Sequence, residues 1–295
     1  MVVAARRTFF RLSAALLALA MGGVLPGCRP GGGRDYSVRV GDDLKLQLAA
    51  QGLESLPPRV PRTDSPLTPG FYARRNYRPA WSDRSGILPQ AHDLLSALAE
   101  SSAEGLDPCR CHWDEVQAMI FQAECGRPSF RRSGTRFAAE LDVILTDAFL
   151  IYASHLADGM VNPEMSLADG NSPRQGEGLA ELLEQALASN QVGPALQSLR
   201  PQHEFYLGLR QALRERRERL CGTEETPDTP DERRARPGPD PFRKARTEVQ
   251  DEIRTIILNM ERWRWLPRFL GRRFVLIDVA GFRLSSPRTA GGRCP

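Results

Sequence analysis

The sequence predicts a mainly α fold, a helical bundle with one terminal β-strand. Three observations predict it. Apolar residues recur at spacings of three and four through several long segments, the period of one helical face. The run Phe274–Val279 is β-branched, aliphatic or aromatic except for Asp278, which suits a short strand better than a helix. The residues after Leu284, SSPRTAGGRCP, are polar and rich in Gly and Pro, so partner strands are not expected from them.

Residues 1–28 read as a lipoprotein-type signal peptide. Arg6, Arg7 and Arg11 form a positive start, and Leu12–Val24 is an apolar stretch too short to span a bilayer comfortably. It ends in Leu25-Pro26-Gly27-Cys28, which resembles a bacterial lipobox and makes Cys28 the expected lipid attachment. A plain secretory signal with a chance cysteine is the alternative, and Arg6-Arg7 also fits a twin-arginine export motif. Arg29 after the cysteine points, by analogy with enterobacterial lipoproteins, to the outer membrane. Residues 29–66 are polar, with Pro57, Pro58, Pro61 and Pro66, and read as a flexible linker.

Periodic structure is expected over 67–221. The aromatic run FYARRNYRPAW occupies 71–81. Leu88, Ala91, Leu94, Leu95 and Leu98 mark a helix opened by Pro89, where a missing amide costs little, and closed by Gly105. The longest helix is predicted over 136–157, with Phe137, Leu141, Ile144, Leu145, Ala148, Phe149, Tyr152 and Leu156 as its core stripe and Gly159 as its stop. Further helices are predicted around Leu179–Leu187, over Val192–Leu199, and along Phe205, Leu209 and Leu213. The charge runs at 214–219 and 231–236 read as solvated.

Residues 222–242 are Pro-rich and aperiodic, hence a linker. A last scaffold helix and junction occupy 243–267: Ile253, Ile256, Ile257 and Met260 line the helix, predicted over 247–263 with Thr247 and Gln250 as a capping box. Pro267 and Gly271 then turn the chain. Residues 268–284 hold the strand, expected to be buried on both faces, and 285–295 form an unstructured tail.

The net charge of +4 is small against 40 basic and 36 acidic residues. No basic face carries interleaved aromatics, which argues against a nucleic-acid partner. With Cys28 acylated, Cys109, Cys111, Cys125, Cys221 and Cys294 remain, an odd set that leaves one thiol unpaired. Cys109, Cys111, His112 and Cys125 have the composition of a zinc site without the usual Cys-x₂-Cys spacing. A disulfide from Cys125 to one of the pair, or free thiols, are the other readings.

FYARRNYRPAW, the GLDP at Gly105–Pro108, LDVILTDAFLIYASHLADG, ILNMERWRWLP and FVLIDVAGFRL stand in this order along the chain. Together they resemble the large L,D-transpeptidases of Gram-negative bacteria, over roughly residues 70–284, with Asn259–Pro267 the most specific part. The resemblance implies a helical scaffold, with 222–242 at the place of a peptidoglycan-binding module that is missing here. It also implies a β catalytic domain after RWRWLP, bearing a Ser-x-Gly-Cys nucleophile and an upstream histidine.

That constellation is not in this sequence. Cys294 follows Gly-Gly-Arg, and no histidine lies after His203, so no catalytic residue, metal or cofactor is assigned. The resemblance stops at Ser285, and a truncation or frameshift near Leu284 is the expectation. The implied function is that of the non-catalytic scaffold portion of a periplasmic L,D-transpeptidase-like protein in peptidoglycan crosslinking and cell-wall remodelling. Its expected partners are peptidoglycan or cell-wall enzymes, and the membrane through the N-terminal lipid. The rival reading is a lipid-anchored helical adaptor that recruits cell-wall enzymes; an unrelated hydrolase would need paired acids or a Ser-His set, and neither stands in a recognisable context. Trp263 and Trp265 are expected to pack where the last helix meets the next domain rather than to stack on sugars. Trp81 and Tyr77 are expected in the core, and His155 has no assigned role.

Overall fold

The computed structural model describes residues 35–50, 63–125, 134–160, 174–224, 243–266, 275–278 and 283–285. The leader at 1–28 with Cys28, most of the 222–242 linker, and the tail at 286–295 with Cys294 lie outside the described residues. The described chain is mainly helical, as the periodicity predicts. In order it forms α1 (Tyr36–Ala50), α2 (Thr68–Arg74), the short hairpin β1 (Ser82–Asp83) and β2 (Gly86–Ile87), and α3 (Pro89–Ala99). Two 3-10 turns follow, Glu100–Glu104 and Pro108–Cys111, then α4 (Trp113–Glu124) and α5 (Gly134–Asp158). The chain continues as α6 (Arg174–Ser189), α7 (Val192–Leu199), α8 (Glu204–Glu224), α9 (Arg243–Arg264), β3 (Leu276–Asp278) and β4 (Arg283–Ser285).

Helix α5 is the axis on which the others pack. Every residue from Leu141 to Ala153 is buried, so this stretch is enclosed on all sides rather than along one stripe. Each of Leu141, Leu145, Phe149 and Leu150 is fully buried, which contributes roughly 1.5–3 kcal/mol per side chain. Helices α1, α3, α4, α6 and α7 join the same core through Leu44, Leu94, Val116, Leu183 and Leu196. Helix α5 stops at Gly159, whose φ of +82° is left-handed, and α3 runs through its 3-10 extension to Gly105 at φ +73°.

Several expectations are corrected. The span 29–66 is not a linker throughout: α1 lies within it and packs on α5 with Val40, Leu44 and Leu48 buried. Its apolar spacing was diluted by Gly41, Asp42, Asp43 and Lys45, which hid the helical period. Gly41 is there for close approach, since a Cβ at that position would lie 2.8 Å from the Tyr77 carbonyl oxygen. Helix α9 begins at Arg243, which places Thr247 and Gln250 inside it, so they are not a capping box. Helix α4 buries only Val116 and Ile120, too sparse an apolar face to mark a helical period. The strand at 276–278 is not single: it pairs antiparallel with Arg283–Ser285 in a hairpin, Ile277 opposite Leu284. Val275 just before it is 58% exposed, against the expectation of burial on both faces. The apolar run could not reveal that residues 283–285 pair with it.

Helices α8 and α9 pack chiefly on each other around a small core of their own, Tyr206, Leu213 and Met260, flanked by Leu209, Ile253, Ile256, Ile257 and Trp263. Phe205, expected in the stripe, is 38% exposed, and Tyr206 takes the buried position. The run 214–219 is only partly solvated: Arg216 pairs with Glu252 and Arg217 donates to the Ser102 carbonyl.

Candidate functional site

Three buried polar centres tie the bundle together, and two of them lie on α5. A helix apolar all round must satisfy any polar side chain it carries, because an unpartnered buried polar group costs about 1–3 kcal/mol. Asp142, Thr146 and Asp147 are such side chains, each fully buried.

Asp142 gathers the segment that follows α2. Its carboxylate accepts from the backbone amides of Ala80 and Trp81 and from Ser82 Oγ at 3.1 Å. The Tyr72 hydroxyl lies 2.7 Å from the Asp142 carbonyl and 3.0 Å from its Oδ1. Thr146 Oγ1 accepts from Trp81 Nε1 at 2.9 Å and sits 2.8 Å from the Tyr72 hydroxyl. Burial pushes the Asp142 carboxyl up to about 6, opposed by the hydrogen bonds from Ala80, Tyr72, Ser82 and Trp81. Burial likewise raises Tyr72 well above the usual phenol range, so its proton stays in place.

Asp147, one turn and a half further along the helix, holds a second group of residues. It accepts from the amides of Asp64 (2.9 Å) and Ser65 (3.1 Å), from Thr68 Oγ1 (2.6 Å) and from His112 Nε2 (3.1 Å). His112 stands at the start of α4 with a left-handed φ of 57°, and its Nδ1 lies 3.5 Å from Glu115. Hydrogen bonding to Asp147 first and Glu115 second raises its pKa to about 10. The imidazole is therefore cationic at neutral pH, with both nitrogens protonated, and neither accepts a proton nor ligates a metal there.

Among the described residues the cysteines do not converge. Cys109, Cys111, Cys125 and Cys221 are all free thiols. Cys125 follows the 12-residue α4, which separates it from Cys111 by about 18 Å at 1.5 Å per residue. That distance is far beyond the 7 Å a disulfide can bridge, and it also breaks up the zinc set. Cys111 is buried 3.8 Å from His155 Nδ1. Burial pushes that thiol up to about 12 and lowers His155, so both are neutral and the pair lacks the thiolate of a nucleophile. Exposed Cys109 donates toward Asp114 at 3.2 Å, which raises its pKa as well.

The third centre lies where the α8–α9 hairpin meets the rest. Glu104, 5% exposed, accepts from the Tyr206 hydroxyl at 2.8 Å and from Arg210 Nε at 2.7 Å, with Arg200 3.7 Å away. Arg264, in the middle of the RWRW motif, is buried; it donates to the Glu104 carbonyl, to Tyr206 Oη at 3.0 Å and to Glu261 at 2.8 Å. Trp263 stacks with His203 and Phe205, ring centroids 4.9 and 5.7 Å away, so it packs on the start of α8. Trp81 is fully buried and Tyr77 partly so, both against the main core.

Trp81, Tyr77, Trp263, His112 and the cysteines stand out in the sequence, whereas Asp142, Asp147, Glu104 and Tyr206 do not. For the two aspartates the signal was available: charged residues within LDVILTDAFLIYA, a run apolar on every face. Chemically, the three centres position backbone and lock helices; they do not assemble a nucleophile with a base.

Residues 67–213 match the family model described as Scaffold domain. No curated protein and no solved structure matches the chain.

Proposed function

We propose that this chain supplies the non-catalytic scaffold of a periplasmic L,D-transpeptidase-like protein that takes part in peptidoglycan crosslinking and cell-wall remodelling. One observation carries the reading: three of the five segments that bear the resemblance are tied into the fold by two of the buried centres. FYARRNYRPAW is bonded through Tyr72, Ala80 and Trp81 to Asp142 and Thr146 of LDVILTDAFL. The Arg264 of RWRW reaches the Glu104 that directly precedes GLDP. Motif residues that meet one another in this way are spent on architecture, which fits a scaffold role.

Within this reading the protein is held at the outer membrane by lipid on Cys28, and its partners are peptidoglycan or a cell-wall enzyme. The 295 residues contain no Ser-x-Gly-Cys and no histidine after His203, so the acyl-transfer chemistry would reside on a further domain or a partner chain. Two measurements test it. Radiolabelled palmitate should label the wild-type chain in a Gram-negative host and fail to label Cys28→Ser. Purified protein incubated with tetrapeptide muropeptides should leave them unchanged. Crosslinked product from the chain alone would overturn the non-catalytic assignment. Specific retention of a peptidoglycan synthase from envelope extract, on a chain unlinked to any catalytic domain, would favour the adaptor role instead.

A further inference from the structure

The α8–α9 hairpin has a small core of its own and a separate joint with the rest of the bundle. Inside, it is apolar, with Tyr206, Leu213 and Met260 buried between its two helices. Against the bundle its joint is mostly polar. Tyr206 and Arg210 reach the Glu104 carboxylate, Arg264 the Glu104 carbonyl, and Arg217 the Ser102 carbonyl. The Met160 amide donates to Glu261 Oε1 at 2.5 Å. Ile257 adds an apolar contact at Gly105.

The joint is also incompletely satisfied. Nε of Arg264, Nε of Arg200 and Nε1 of Trp265 are buried without a hydrogen-bond partner. All three border this seam: Arg264 and Trp265 lie at the end of α9, and Arg200 lies beside Glu104. Buried charges recover their desolvation cost only when geometry and satisfaction are complete. A polar seam with unpartnered donors therefore holds far less tightly than an apolar one of equal area. Moreover, α8 and α9 follow α7 in the chain, so a single connection, 200–203, leads from the bundle into the hairpin.

We infer that the α8–α9 hairpin is a rigid arm that docks reversibly on the bundle, hinged at 200–203 and latched by Glu104. The side chains buried in its own core, Tyr206, Leu213 and Met260, all lie on its two helices, so that core travels with the arm on release. Release carries the end of α9, and whatever follows Trp265, away from α5. Such a hinge is of the kind that repositions domains, with one bistable contact biasing two arrangements.

Native cysteines provide the test. Cys125 ends α4 on the bundle and Cys221 lies on α8, and both are exposed. Nitroxides on these two positions, in the full chain with Cys28, Cys109 and Cys294 replaced by serine, report their separation by pulsed dipolar spectroscopy. The wild-type arm should give a dominant docked distance. Glu104→Gln should enlarge a second, longer population at least threefold, and Tyr206→Phe, which deletes one hydroxyl, should do so to a smaller degree. Far-UV circular dichroism should stay unchanged in both. Distance distributions that superimpose on wild type in both variants would overturn the inference. So would loss of helical signal throughout the chain in both, because the latch would then be integral to the fold.

Discussion

His112 Nε2 lies 3.1 Å from Asp147 Oδ2, and this pair joins the start of α4 to the middle of α5. The carboxylate is 1% exposed and the imidazole side chain 16%. The ion pair is therefore well shielded, and its strength is not that of a surface salt bridge.

The first prediction concerns pH. The folded pKa of His112, about 10, is raised above the usual 6.5. Stabilisation from a raised histidine is complete below about 6.5 and is lost as pH climbs through about 10. His112→Gln should cost about 2–4 kcal/mol at pH 6, and much less at pH 10.5. Urea midpoints at the two values check the difference. Imidazole NMR should show one histidine still protonated at pH 9; a His112 titrating near 6.5 would contradict the ion pair.

Asp142 gives the opposite sign of reasoning. Its carboxyl is pushed up to about 6 from 3.8, so between about pH 4 and 6 the folded state holds more protons than the unfolded one. This group alone makes the fold less stable as pH rises through that window, by on the order of 3 kcal/mol. Asp142→Asn should remove that slope while wild type retains it. Asp142→Ala should be worse than either at pH 7, by about 2–4 kcal/mol, because the Ala80 and Trp81 amides lose their acceptor. A wild-type minus Asn difference that is flat from pH 4 to 7 would sink the account.

These two aspartates also mark how far the sequence could be read. Helical segments with a clean apolar period, such as 88–98, 136–157 and 192–199, were legible because their burial is one-sided or complete. Helix α1 was not, because its buried face carries Gly41 and Gln47 among charged neighbours. The polar centres were half legible: an apolar-all-round helix requires its aspartates to be partnered, but only folding reveals that the partners are Tyr72, Ala80 and Thr68. Glu104 and Tyr206 meet across 102 residues, and nothing in the local pattern of either announces the other. The hairpin partner of 276–278 was missed for a different reason, since FRLS alternates too briefly to be told from loop.

A matched pair of glycine replacements tests the docking of α1. Alanine in place of a helical glycine ordinarily stabilises by about 1 kcal/mol. At Gly70 in α2 nothing lies within 4 Å of a new Cβ, so Gly70→Ala should gain roughly 0.5–1 kcal/mol. At Gly41 the new Cβ would be 2.8 Å from a backbone oxygen, Tyr77 O, which cannot swing aside like a side chain. Gly41→Ala should therefore reverse the sign and cost about 1–3 kcal/mol as α1 is pushed away from Tyr77. Chemical denaturation of both variants gives the comparison, and equal gains at the two sites would show that α1 is not held close at Tyr77.

Gly159 carries two constraints that alanine would violate together. Its φ of +82° disfavours any side chain, at about 1–2 kcal/mol. A Cβ would also stand 2.4 Å from Glu261 Oε1 and 3.0 Å from Trp265 Nε1. Glu261 is the acceptor for both the Met160 amide and Arg264, so displacing it weakens the hold on the end of α9. Gly159→Ala should cost about 2–3 kcal/mol in all. Asparagine separates the two causes, because it tolerates the left-handed region while bringing the same Cβ. If backbone strain dominates, Gly159→Asn recovers most of the loss. If the contact with Glu261 dominates, asparagine is as damaging as alanine, and hydrogen exchange at the C-terminal turn of α9 should rise in both variants. Neither loss nor altered exchange in the alanine variant would mean that α5 and α9 do not meet at this glycine.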